Sequence, residues 1–217
     1  MQYIALTALI QLGGGLCLIK IYTDGSSTKS RAGWGFVVVL DDEIIYERAG
    51  TEHKGDTNQL MELTAAIEAC DWYLQQPSSI QEHDVTIYSD SAYLVNCYQD
   101  KWYINWENNG WKNSKGDPVA NKLEWRFLIN FFKDDRFTFT KVKGHSGHVY
   151  NERADALAQG KCAPTEPQDL TTNKKYDTIY IEVSEILLNY SMKNITVKDT
   201  IDRIINIMER EGVKFDR

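Results

Sequence analysis

Disulfide and zinc frameworks are the first things this sequence lacks. Its four cysteines, Cys17, Cys70, Cys97 and Cys162, stand far apart with no C-x-x-C pair. That excludes a cysteine-stapled scaffold and a zinc ribbon, and predicts reduced thiols and a cytoplasmic location. Proline is as sparse, four in 217 residues, which excludes polyproline and collagen-like chains. No apolar run reaches the roughly 18 residues of a membrane span, so no membrane association is expected. The most apolar stretch, Met1–Ile19, has no Lys or Arg ahead of it, which a secretory signal requires. Leu16 before Cys17 also fails the small-residue rule of a cleavage site. Residues 1–17 are therefore read as an N-terminal extension. A basic excess is missing too, with 24 Lys+Arg against 31 Asp+Glu, a net charge of −7 and a pI near 5.2. Taken whole, that balance speaks against a nucleic-acid partner.

What is present is an ordinary globular composition, 42% apolar and 25% charged, with enough chain to bury a real core. Leu18–Tyr22 is β-like and runs into Asp24-Gly25; Gly33–Leu40 and Glu43–Ala49 follow across short turns. Asp41-Asp42 is a turn dipeptide, so these three strands are expected to form an antiparallel meander. Asn58–Leu74 carries Leu60, Leu63, Ile67 and Leu74 at helical spacing. Val85–Ser89 reads as a fourth strand, Ala92–Cys97 as a short helix, Val119–Phe132 as a helix, Phe137–Val142 as a fifth strand and Asn151–Gly160 as a last helix. Strands first and then strands alternating with helices predict an α/β fold with a mixed five-stranded sheet flanked by helices. Residues 161–177 read as a linker, holding Pro164 and Pro167. Residues 178–217 form a C-terminal extension whose apolar periodicity suits docking or a protein partner; its role is open.

Four acids sit in awkward places. Asp24 closes the first strand, Glu62 lies between Met61 and Leu63, Asp90 follows the fourth strand, and Asp155 stands between Ala154 and Ala156. Each has a plain alternative: a hairpin turn for Asp24, an N-cap for Asp90 (or its neighbour Ser91), a solvated helix face for Glu62 and Asp155. As a set they are stronger. Carboxylates gathered together raise one another's pKa, and Mg²⁺ relieves this as a hard, oxygen-seeking ion. Two such ions suit phosphodiester cleavage.

The segments IKIYTDGSS, TNQLMELTAAIEA, VTIYSDSAYLV, a Trp-rich stretch ending in GWK, and KVKGHSGHVYNERADALA resemble, in order, type 1 ribonuclease H across residues 18–160. The resemblance implies the RNase H-like fold and an endonuclease that cuts the RNA strand of RNA–DNA hybrids, leaving 3′-hydroxyl and 5′-phosphate ends. It implies two Mg²⁺ ions, with Mn²⁺ as a substitute, on Asp24, Glu62, Asp90 and Asp155. It further implies that His145 assists proton transfer or product release, and that Asn151 orients the last acid and reaches substrate. Asn58 would contact 2′-hydroxyls in the minor groove. Thr57 and Asn121 would hold a DNA phosphate. Gly25 and Ser26 would supply first-turn contacts, and Trp102, Trp106 and Trp111 either pack or meet DNA sugars. A monomer is expected.

The chain departs from that pattern at the handle, where Glu107-Asn108-Asn109 replaces a cationic cluster, and at the short first turn, STKSRAGWG. The His145/His148 pair lacks the cysteines or helical frame of a zinc site, and the same loop fails G-x-S-x-G. Two other readings stay open: a hybrid-binding module that has lost the chemistry, and another nuclease on this fold, an exonuclease or resolvase. The first strand holds Asp24-Gly25-Ser26, without the Asp-x-Glu pair expected of the exonuclease. Charge by segment removes the early objection. Residues 1–100 carry five basic and fourteen acidic groups, whereas residues 101–143 carry nine basic and five acidic.

Overall fold

The structure is a computed structural model and describes residues 18–165, except 54, 55 and 82, together with residue 206. The chain divides into two units, Met1–Pro167 and Gln168–Arg217; the description concerns the first. The N-terminal extension, most of the linker and all of the C-terminal extension but residue 206 lie outside the described residues.

Strands β1 (Ile19–Ser27), β2 (Ala32–Leu40) and β3 (Glu43–Glu52) form the antiparallel meander. The β2–β3 turn is built by Asp41 and Asp42, both left-handed at φ 49° and 62°, as a two-residue hairpin turn demands. Strands β4 (Val85–Ser89) and β5 (Phe137–Lys141) join in parallel, giving the order β3-β2-β1-β4-β5. The helices are α1 (Asn58–Leu74), α2 (Ser78–Gln81), α3 (Ala92–Gln99), α4 (Trp102–Asn108), α5 (Lys122–Phe132) and α6 (Val149–Ala158). The mixed five-stranded sheet flanked by helices is the RNase H-like arrangement expected from the sequence.

Alternate residues of a strand face opposite sides, and glycines mark where helices press closest. A Cβ on Gly25 would strike the backbone of Met61 and Glu62 in α1. One on Gly33 would strike Ala158, and one on Gly35 would strike Leu157 and Ala158, all in α6. Gly25 pairs with Trp34, between those two glycines, so α1 and α6 cover opposite faces.

Three differences from the sequence reading have physical causes. First, β1 does not stop at Asp24-Gly25: pairing continues through Asp24–Gly35 to Ser27–Ala32. Asp24 is thus a strand residue and no turn. Second, α1 buries Met61, Leu63, Ala65, Ala66, Ala69, Cys70, Trp72 and Tyr73, while Leu74 is 49% exposed. Its small side chains bring it close to β1 and β2 and still leave a face for α5; a pattern counted on leucines misses them. Third, the helix expected from Val119 begins at Lys122, because Asn121 is left-handed at φ 56°.

Candidate active site

Register assembles the site. Parallel pairing sets Tyr22 against Tyr88 and Thr23 against Ser89, so the next residues stand side by side, Asp24 still within β1 and Asp90 just past the end of β4. Ser91 takes the capping role, its hydroxyl accepting the Leu94 N–H at 3.3 Å, which frees the Asp90 carboxylate. Glu62 arrives from the first turns of α1, held close by the missing Cβ of Gly25. Carboxylate oxygens of Asp24, Glu62 and Asp90 all lie within 4.8 Å of one another.

The electrostatics follow from that crowding. Burial, then the Asp90 and Asp155 charges, push the Asp24 carboxyl up to about 8, against a lowering hydrogen bond from the Gly25 N–H. Burial, then Asp24 and Asp90, raise Glu62 well above its ordinary value. Glu62 Oε2 is buried with no hydrogen-bond partner. Three oxygen-only ligands converging on a space, one of them a buried orphan, fit a divalent cation. Asp155 of α6 stands outside this group, half-buried, with Oδ1 accepting a hydrogen bond from Gln159 Nε2. Its charge still raises Asp24 and Glu62. Three of the four expected acids are therefore gathered, and the fourth flanks them.

Sequence comparison bears on the same span. The RNase H family model matches residues 18–163. The chain belongs to the ribonuclease H family. Ribonuclease H of Moorella thermoacetica is 39% identical over 157 residues, covering 71% of this chain and 98% of that protein. Ribonuclease H of Syntrophomonas wolfei is 44% identical over 143 residues, covering 65% and 93%. Among solved structures, the fold resembles the prototype foamy virus (PFV) RNase H domain, with TM-score 0.53, 25% identity and coverage of 68% of this chain and 93% of that one. It also resembles LC9-RNase H1, described as a type 1 RNase H with the type 2 active-site motif, with TM-score 0.55, 23% identity and coverage of 71% and 79%. As a ribonuclease H, the chain is a nuclease of a divalent-metal-dependent family, with an acidic group suited to that metal.

The remaining expected residues of this ribonuclease H fall into distinct places. His145 is exposed and left-handed at φ 50°. Gly144 beside it packs against Asp90, where a Cβ would strike Oδ2. Gly147 N–H donates to Glu152 Oε1 at 2.8 Å and Ser146 Oγ to the Lys143 carbonyl at 2.7 Å, so the loop is braced on both sides of the histidine. Asn151 is buried one helical turn before Asp155, its Oδ1 without a partner. Thr57 caps α1, accepting the Leu60 N–H at 3.2 Å. Asn58 Oδ1 accepts the Ser27 N–H at 2.5 Å, tying α1 to the end of β1 beside Ser26. The Asn121 side chain makes no cap hydrogen bond.

The three tryptophans separate. Trp106 is 9% exposed and packs on Trp125 at 5.5 Å, within the core. Trp102 and Trp111 are half-buried. Trp111, left-handed at φ 65°, lies under the Lys122 ammonium at 5.2 Å. Sequence reasoning did not single out the role of Gly144 or the bracing Glu152 and Gln159. A glycine directly before the loop histidine was the available signal for the first; the others had none.

Proposed function

We propose that this ribonuclease H is a cytoplasmic, monomeric endonuclease that hydrolyses the RNA strand of RNA–DNA hybrids, leaving 3′-hydroxyl and 5′-phosphate ends. The metal is read as two Mg²⁺ ions held by Asp24, Glu62, Asp90 and Asp155, with Mn²⁺ as a substitute. The observation that carries this reading is the triad of Asp24, Glu62 and Asp90, whose carboxylate oxygens lie within 4.8 Å of one another, together with the buried, unpartnered Glu62 Oε2. When bound, the cations neutralise this charge, activate a water and steady the leaving oxygen.

The chain's own residues do the rest. The Gly25 N–H orients Asp24 and Glu62. His145, on the braced loop whose Gly144 packs against Asp90, is read as moving a proton or helping to release product. Asn151 lies on the Asp155 flank of α6 and is read as steadying that acid. Asn58 is exposed at the start of α1 and is read as the minor-groove contact that recognises 2′-hydroxyls. Gly25 and Ser26 are read as first-turn contacts beside it. Thr57 and Asn121 offer hydroxyl and amide donors to a DNA phosphate, and Trp102 and Trp111 offer ring faces to DNA sugars.

Two proteins of this fold were solved with an RNA/DNA hybrid: a foamy viral protease-reverse transcriptase and LC11-RNase H1, at 18% and 22% identity. They support the compatibility of the fold with that substrate. Incubating end-labelled RNA–DNA hybrid, double-stranded RNA and double-stranded DNA with Mg²⁺ tests the proposal. Cleavage confined to the RNA of the hybrid, with 5′-phosphate products, is expected. Cleavage of double-stranded DNA, or none of any substrate with Mg²⁺ or Mn²⁺, refutes it.

A further inference from the structure

A second buried charge lies on the far flank of α6. The Glu47 side chain on β3 is 1% exposed. Arg153 of α6 grips it with two parallel bonds, Nε to Oε1 at 2.7 Å and Nη2 to Oε2 at 2.8 Å. Thr165 adds its N–H at 2.9 Å and its hydroxyl at 2.7 Å to Oε2, and Arg153 Nη2 also reaches the Ala163 carbonyl at 3.0 Å. Burial alone would raise the Glu47 carboxyl, but the Arg153 and Thr165 bonds outweigh it and hold it below its ordinary value.

We propose that Glu47 and Arg153 are positioning residues that set the rotation of α6 and so aim Asp155 at the acid triad; this rests on the metal-site reading above. The rest of the α6 interface is mainly apolar: Leu157 packs among Tyr22, Val37 and Val39, and Tyr150 lies against Tyr22 at 5.3 Å with its hydroxyl donating to the Asp42 carbonyl. Gly33 and Gly35 face Leu157 and Ala158, and Ala154 completes the contact. Apolar contacts are non-directional and Tyr150 holds only the first turn of α6, whereas the bidentate guanidinium–carboxylate pair in the next turn has a fixed geometry. Residues two apart on a helix point about 200° apart, so Arg153 faces away from both Asn151 and Asp155. Any rotation at one flank is transmitted to the other. With side-chain ends about 5–6 Å from the axis, a turn of about 10° moves the Asp155 carboxylate about 1 Å. Misplacement on that scale impairs catalytic geometry. A buried charge pair is weak evidence for stability and better evidence for specifying one arrangement, which is the role assigned here.

The test compares wild type with Glu47→Gln, Arg153→Lys and the apolar pair Glu47→Leu/Arg153→Met in the full chain. The first readout is the Mg²⁺ concentration giving half of the metal-induced rise in Tm, without substrate; the second is KM for hybrid. The positioning role predicts a half-point raised about tenfold or more in the apolar pair, even where its metal-free Tm equals wild type, a smaller rise in Arg153→Lys, and KM within about twofold. Half-points within twofold of wild type in every variant that folds overturn it and leave the pair purely structural. Failure of Glu47→Gln to fold moves the decision to Arg153→Lys and the apolar pair. A wild type whose Tm ignores both Mg²⁺ and Mn²⁺ overturns the metal-site reading itself, a result distinct from variants that respond as wild type does.

Discussion

Replacing Asp24 with Asn isolates the electrostatic cost of the acid cluster. In the folded, metal-free protein the Asp24 carboxyl is raised from 3.8 to about 8. A carboxyl whose folded pKa is raised removes stability, starting above its unfolded value and levelling off above the folded one. At pH 7 Asp24 is mostly protonated when folded and ionised when unfolded. At about 1.4 kcal/mol per pH unit this costs about 4 kcal/mol, and about 1.5 kcal/mol at pH 5. Asn keeps the shape without the charge and also relieves Glu62, which Asp24 pushes up. Asp24→Asn should therefore be more stable than wild type in EDTA. The gain should grow from pH 5 to about pH 8 and then stay level. For a domain of this size the pH 7 gain corresponds to about 10 °C in Tm. Saturating Mg²⁺ should shrink the difference, since only wild type keeps the full ligand set. Urea and thermal unfolding in EDTA from pH 5 to 9 measure this. A gain independent of pH, or a variant less stable than wild type at pH 7, refutes the argument.

Three further outcomes follow. Gly25→Ala forces a Cβ into the Met61–Glu62 backbone, so urea unfolding should show a loss of about 2–3 kcal/mol; a loss under 0.5 kcal/mol contradicts the close approach. His145→Ala should lower kcat about 100-fold and leave KM within about threefold, measured on labelled hybrid; a change confined to KM contradicts its role. Exposed Lys112, Lys115, Lys122 and Arg126 supply the charge near the handle, while Lys133 is tied to Glu107 at 2.9 Å. About three or four phosphate contacts predict a slope near 3 for log KM against log NaCl; a slope of 6 or more contradicts the weak-handle reading.

How much was legible in the sequence depended on how local the cause was. Asn58–Leu74 and Val85–Ser89 match the structure residue for residue, because caps and alternation act within a few positions. Asp24-Gly25 misled: the dipeptide favours turns, but β2 supplies partners through Ser27 and long-range pairing overrides the local preference. The acids were legible as a set because two central strands and one helix start converge on them. Their unequal arrangement, with Asp155 bonded to Gln159 outside the triad, depends on how α6 sits, which no motif records. The Glu47–Arg153 pair joins residues 106 apart in sequence. A charged residue in an amphipathic strand reads as solvent-facing, and only the packed fold reveals it as buried. Trp106 was ambiguous for the same reason, and its packing on Trp125 places it in the core.

The central claim is that Asp24, Glu62 and Asp90 act together as the metal-holding centre of a hybrid-specific nuclease. Its most direct test is single-turnover cleavage of labelled RNA–DNA hybrid in Mg²⁺ by wild type, Asp24→Asn, Glu62→Gln and Asp90→Asn, with hybrid binding measured alongside. The account predicts a cleavage rate at least 1,000-fold lower in each variant, with hybrid Kd within about tenfold of wild type. Hybrid cleavage at the wild-type rate in any of the three would contradict it.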